Sequence, residues 1–139
     1  MQNIAFLDGG LGQEINKRSG RDSSHPLWSV QVMIEEPELV VAVHKDFLRA
    51  GARVITANNY SATTTRLAQH ELADKFFEIH QLATSLAHQA ISETFPEPGD
   101  QKGVNVAGVL PPLVASYHVP ADQNYQDCYD QYCSIIAAQ

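Results

Sequence analysis

The stretch Phe47-Leu48-Arg49-Ala50-Gly51-Ala52-Arg53-Val54-Ile55-Thr56-Ala57-Asn58-Asn59-Tyr60 decides the fold class. It passes from an apolar helical face, through a glycine, into a β-branched run and then into a polar loop. Gly51 suits the position just past a helix C-terminus, where a left-handed backbone costs little without a Cβ. Arg53-Val54-Ile55-Thr56 carries the branched side chains of a strand. Upstream, Pro37 fits the first turn of the helix, and Glu35, Glu36 and Glu38 sit near the positive end of its dipole. Val40, Val41, Phe47 and Leu48 fall on one face at helical period.

The same alternation continues on both sides. Residues 4–7 form an apolar strand halted by Asp8-Gly9-Gly10, where glycine opens turn conformations. Residues 18–29, with Gly20 and Pro26, read as a loop. A long helix is predicted over residues 65–93, with Leu72, Phe76, Ile79, Leu82, Leu86 and Ala90 as its apolar stripe. Pro96-Glu97-Pro98-Gly99-Asp100 breaks it. Residues 104–108 read as a third strand, ended by Pro111-Pro112. From Asp122 onward a further helix carries Tyr125, Tyr129, Tyr132 and Ile136 on one side. Strands alternating with helices imply a parallel sheet of βαβ units. Each strand is followed by small or polar residues (Asp8-Gly9-Gly10, Thr56-Ala57-Asn58-Asn59, Gly108), and in parallel α/β folds that end takes the ligand.

Composition narrows the function. Of 139 residues, 44% are hydrophobic and 18% charged, a balance that suits one folded domain. Lys plus Arg is 9 against 16 acidic residues, a net charge of −7, which argues against nucleic acid or an anionic membrane as partner. No apolar run approaches the ~18 residues of a membrane span. Residues 4–7 are too short a run, and lack the basic lead, for a signal peptide, so a cytoplasmic location is expected.

Cys128 and Cys133 make no disulfide framework and read as small buried residues. His25, His44, His70, His80, His88 and His118 form no HExxH pattern. His80 and His88 could share a helix face, but without further donors at ligand spacing they read as structural. The tyrosine stripe reads as packing. A Ser/His/Asp arrangement and a phosphate loop are both missing, and Gly9-Gly10-Leu11-Gly12 lacks dinucleotide-fingerprint spacing.

Four stretches of sequence carry a family resemblance. Leu7-Asp8-Gly9-Gly10-Leu11-Gly12-Gln13-Glu14 resembles the opening of the homocysteine S-methyltransferase family, and Pro26-Leu27-Trp28-Ser29 follows it. The run over residues 44–60 resembles the family's helix, its Ala-Gly-Ala turn and a strand ending in Thr-x-Asn-x-Tyr. Val106-Ala107-Gly108-Val109-Leu110-Pro111-Pro112-Leu113, with Ser116-Tyr117, resembles the third-strand motif of the branch that uses S-methylmethionine. Gln13, Asn59 and Val109 depart from the usual Thr, Thr and Ser.

The resemblance implies that residues 1–139 are a partial homocysteine-binding domain. The expected fold is α/β, the N-terminal part of a (β/α)8 TIM barrel, incomplete with about three βα units, because a full barrel takes about 250 residues. It implies methyl transfer from S-methylmethionine, or a similar donor, to the zinc-bound thiolate of homocysteine, giving methionine. The family's three cysteine zinc ligands are expected beyond residue 139, so no catalytic or metal-ligating residue is expected in this segment. The isolated chain is expected to be inactive, to bind no zinc, and to self-associate through its open sheet edges. The alternative is a non-catalytic remnant, or an amino-acid-binding or complementing fragment without zinc.

The substrate-binding candidates are Asp8, Gly9, Gly10, Thr56, Asn58 and Tyr60. Asp8 could accept a bond from the substrate ammonium, though Asp before Gly-Gly is also a common turn former. Gly9 and Gly10 would let backbone approach the ligand, or would simply make the turn. Thr56 would face the mouth of the sheet if Ile55 faces the other way. Asn58 and Tyr60 would line the loop beyond, which could otherwise just cap the next helix through Ser61 or Thr63. Glu14 reads as a helix-start residue.

Overall fold

The computed structural model describes residues 4–21, 25–113 and 124–139. Its elements are α1 (Leu11–Ser19), α2 (Ser29–Glu35), α3 (Pro37–Arg49), β1 (Val54–Thr56), α4 (Thr64–Ala68), a 3-10 turn (Ala73–Lys75), α5 (Phe76–Thr94), β2 (Asn105–Ala107) and α6 (Tyr125–Ala138). Ser116, Tyr117, His118 and Asp122, singled out above, lie outside the described residues.

The chain is an α/β structure with a small parallel sheet. β1 pairs with β2 in the register Val54↔Asn105, Ile55↔Val106, Thr56↔Ala107. The first predicted strand is reduced to one parallel bridge, Leu7↔Val54, with Asp8 N–H donating to the Val54 carbonyl at 2.9 Å. Ile4, Phe6 and Leu7 are 81%, 68% and 69% exposed, so this segment gains little from burial and pairs along one edge only.

The core forms where α3 packs on α5 beside the sheet, with α3 touching β1 and α5 touching β2. Ile55 is fully buried in one apolar cluster with Val40, Val43 and Leu48 of α3 and Ile79, Ala83 and Leu86 of α5. Pro37 opens α3 as its sequence suggests, and Gly51 follows its C-terminus with φ +106, a backbone open to glycine at low cost.

Four sequence expectations change. Residues 18–29 are not all loop: α1 runs to Ser19, and α2 begins at Ser29. The long helix is broken: α4 ends at Ala68, Glu71 takes φ +58, and α5 starts only at Phe76. A left-handed residue cannot continue a right-handed helix, so the stripe's period passes across a turn. The tyrosine stripe packs only through Tyr132, which lies against the core and donates to the Pro111 carbonyl at 3.0 Å; Tyr125 and Tyr129 are exposed, and α6 buries Ile135 and Ala138. Cys133 is exposed and Cys128 half-buried, and neither is in a disulfide.

Candidate substrate cleft

Parallel register brings the C-terminal ends of the sheet together at one edge of the molecule. There Asp8 and Thr56 meet. The Thr56 backbone N–H donates to Asp8 Oδ2 at 2.7 Å, and the Thr56 hydroxyl donates to Asp8 Oδ1 at 2.8 Å. Ile55 is buried on the opposite side, as strand alternation requires. No Lys or Arg pairs with Asp8 among the described residues.

Beside this pair lies a cleft of about 360 Å³ lined by Gly9, Gly10, Leu11, Gly12, Gln13, Trp28, Ser29, Thr56, Ala57, Asn58, Tyr60 and Val109. Gly9, Gly10, Thr56, Asn58 and Tyr60 are thus gathered around one space, and Asp8 stands next to it through Thr56. Gly10 leads directly into α1. A Cβ on Gly12 would fall 2.7 Å from the Trp28 ring and 2.9 Å from Ser29 Oγ, so glycine lets α1 close on that wall.

The loop after β1 is tied down by buried polar side chains. Ser29 Oγ donates to Asn58 Oδ1 at 2.7 Å, and Asn58 Nδ2 donates back to the Ser29 carbonyl at 2.9 Å. Ser61 Oγ donates to the Leu27 carbonyl. His80 Nε2 donates to the Ala62 carbonyl at 2.9 Å, which leaves Nδ1 to accept from Asn59 Nδ2 at 2.8 Å. Burial lowers the His80 pKa and favours this neutral form. Thr63 caps α4 by accepting from the Arg66 N–H. His88 is exposed while His80 is buried, so the two share no face.

Two residues escaped sequence reasoning. Trp28 lines the cleft from a backbone at φ 48, ψ −125, a region that costs a bulky L-residue on the order of 1–3 kcal/mol. Nothing in its local sequence marks that conformation. His44 of α3 is fully buried, and neither ring nitrogen has a hydrogen-bond partner among the described residues. Burial pushes its pKa down to about 4, against a smaller upward pull from Asp8, so at neutral pH it leaves the Asp8 charge uncompensated.

Among the described residues no group of three or more His, Cys, Asp or Glu side chains could hold a metal ion, and no helix is long and apolar enough to cross a membrane. The donors among the described residues do not fit zinc.

A parallel sheet whose strand ends close on a small cleft is an α/β arrangement of the kind that takes ligands at that end. The sequence profile of homocysteine S-methyltransferases matches residues 5–139, and the chain belongs to that family. It is 31% identical over 139 residues to the homocysteine S-methyltransferase of Escherichia coli K12, covering 99% of this chain and 43% of that protein. It is 32% identical over 113 residues to the selenocysteine Se-methyltransferase of Brassica oleracea var. italica, covering 81% of this chain and 32% of that protein. Its structure superposes on the metallated form of the E. coli homocysteine methyltransferase MmuM with a TM-score of 0.83 at 27% identity, over 99% of this chain and 50% of that one. The chain spans less than half the length of both relatives.

Proposed function

We propose that the cleft holds the amino-acid end of homocysteine, as part of a methyl transfer to its sulfur that yields methionine. The observation that carries this reading is the Asp8 carboxylate, latched by Thr56 at the cleft and paired with no cation among the described residues. Each carboxylate oxygen uses one acceptor site on Thr56 and keeps another. An α-ammonium bound there would gain a charge-assisted hydrogen bond. Gly9 and Gly10 present backbone without side-chain bulk, and Asn58 and Tyr60 complete the wall.

The fold supports the same reading. The order Leu7, β1, β2, all parallel, is compatible with the first three units of a (β/α)8 barrel. The methyl donor is a sulfonium of the S-methylmethionine type, on the resemblance at Leu110-Pro111-Pro112-Leu113. Trp28 and Tyr60 line the same cleft, and aromatic faces attract such cations. Zinc, which the resemblance implies for the whole domain, finds no fitting donor set among the described residues, and the part we assign to this cleft is to bind and orient. Orientation alone lowers the barrier of a bimolecular transfer substantially.

A second reading is an amino-acid-binding segment that carries out no transfer. It is favoured by a cleft assembled without a metal-donor cluster among the described residues. Titration of homocysteine into the purified chain, followed by Trp28 fluorescence, tests the binding that both readings require. Asp8→Ala is expected to weaken the response at least tenfold, and an unchanged affinity would remove Asp8 from the site.

A further inference from the structure

The indole of Trp28 reaches the cleft from a backbone that tryptophan does not adopt unaided, φ 48 and ψ −125. Such conformations persist where the surroundings over-determine them. Here both chain neighbours are tied. The Leu27 N–H donates to His25 Nδ1 at 3.2 Å, and the Leu27 carbonyl accepts from Ser61 Oγ. Ser29 exchanges two hydrogen bonds with the Asn58 amide, at 2.7 and 2.9 Å. The Trp28 N–H donates to the His25 carbonyl at 2.8 Å. Leu27, Ser29, Asn58 and Ser61 are all buried, so a broken tie leaves a polar group without water to replace its partner.

We infer that Asn58 and Ser61 are positioning residues: from the loop after β1 they clamp Leu27 and Ser29, and so hold the strained Trp28 backbone that makes the indole a wall of the cleft. The functional weight of this assignment rests on the cleft being the ligand site. Asn58 then acts through Ser29 and Trp28, because its side-chain oxygen and nitrogen are both engaged with Ser29. Asn59 provides the contrast. It is equally buried and adjacent, yet it bonds to His80 and ties the same loop to α5 rather than to Trp28.

Trp28 is the single tryptophan, so its emission and near-ultraviolet circular dichroism report on this residue in the intact chain. Asn58→Ala is expected to red-shift the emission, increase acrylamide quenching and erase the indole dichroism in a protein that keeps its helical signal. Ser61→Ala and Ser29→Ala should move the same signals less, and they carry the test if Asn58→Ala fails to fold. Asn59→Ala should lower Tm and leave the indole signals in place. Wild-type indole signals in all three Trp28-linked variants, or an equal shift in Asn59→Ala, would overturn the assignment. Homocysteine addition is a separate arm. Indole signals that move in Asn58→Ala but ignore homocysteine would keep the positioning role and remove the proposed function.

Discussion

Asp8 and Thr56, separated by 48 positions in sequence, are joined by two hydrogen bonds of 2.7 and 2.8 Å, one from the Thr56 backbone and one from its hydroxyl. The pair ties the end of the first strand segment to the end of β1 and fixes the carboxylate plane at the same time. Without it, among the described residues this segment would be tied to β1 and the residue before it by the Asp8 N–H donating to the Val54 carbonyl and by the Phe6 carbonyl accepting from the Arg53 and Val54 N–H groups.

Thr56→Val keeps the backbone donor and removes the hydroxyl. The loss of one hydrogen bond to a carboxylate is expected to cost about 1.5 kcal/mol of stability and to weaken homocysteine binding, while Thr56→Ser restores both. Urea unfolding and titration of the three proteins measure this.

His44 makes stability fall in acid. Its pKa drops from the ordinary 6.5 to about 4 in the folded chain, so between those values the unfolded state binds the extra proton. Stability is therefore full above pH ~6.5 and declines as pH falls toward ~4, by about 3 kcal/mol in all. His80, lowered by burial as well, adds in the same direction. His44→Leu is expected to flatten the slope. It should not destabilise the chain at pH 7, because it removes two buried nitrogens that have no partners. Urea midpoints across pH check both statements.

Gly12→Ala places a Cβ 2.7 Å from the Trp28 ring and 2.9 Å from Ser29 Oγ. Overpacking of this kind typically costs about 1–3 kcal/mol. Thermal unfolding should show the loss, with the Trp28 spectrum altered in the folded protein.

The purified chain is expected to hold no stoichiometric zinc and to transfer no methyl group, because no suitable donor cluster exists among the described residues. Metal analysis together with an assay for methionine checks this. One tightly held zinc per chain, with turnover, would contradict it.

What the sequence revealed and what it hid follow from the range of the interactions. β1 and β2 are legible because a strand and its loop are local patterns, and the polar residues that follow the residue 4–7 segment and β1 put Asp8, Gly9, Gly10, Thr56, Asn58 and Tyr60 near one another. The break before α5 was masked, because the apolar spacing from Leu72 to Phe76 continues in step through the 3-10 turn at Ala73–Lys75, and the positive φ of Glu71 just before it leaves no local signature. Residues 4–7 satisfy the pattern of a buried strand, yet a single paired edge supports only one bridge. The roles of Trp28 and His44 depend on residues distant in sequence, such as Asn58, 29 positions beyond Ser29. No local period encodes such a contact.

The most direct test of the cleft compares homocysteine with 4-sulfanylbutanoic acid, which is the same thiol acid without the amino group. Calorimetric titration should show wild-type protein binding homocysteine at least tenfold more tightly, with the preference lost in Asp8→Asn. Equal affinity of the wild-type chain for the two thiols would contradict an Asp8–ammonium contact at the heart of the site.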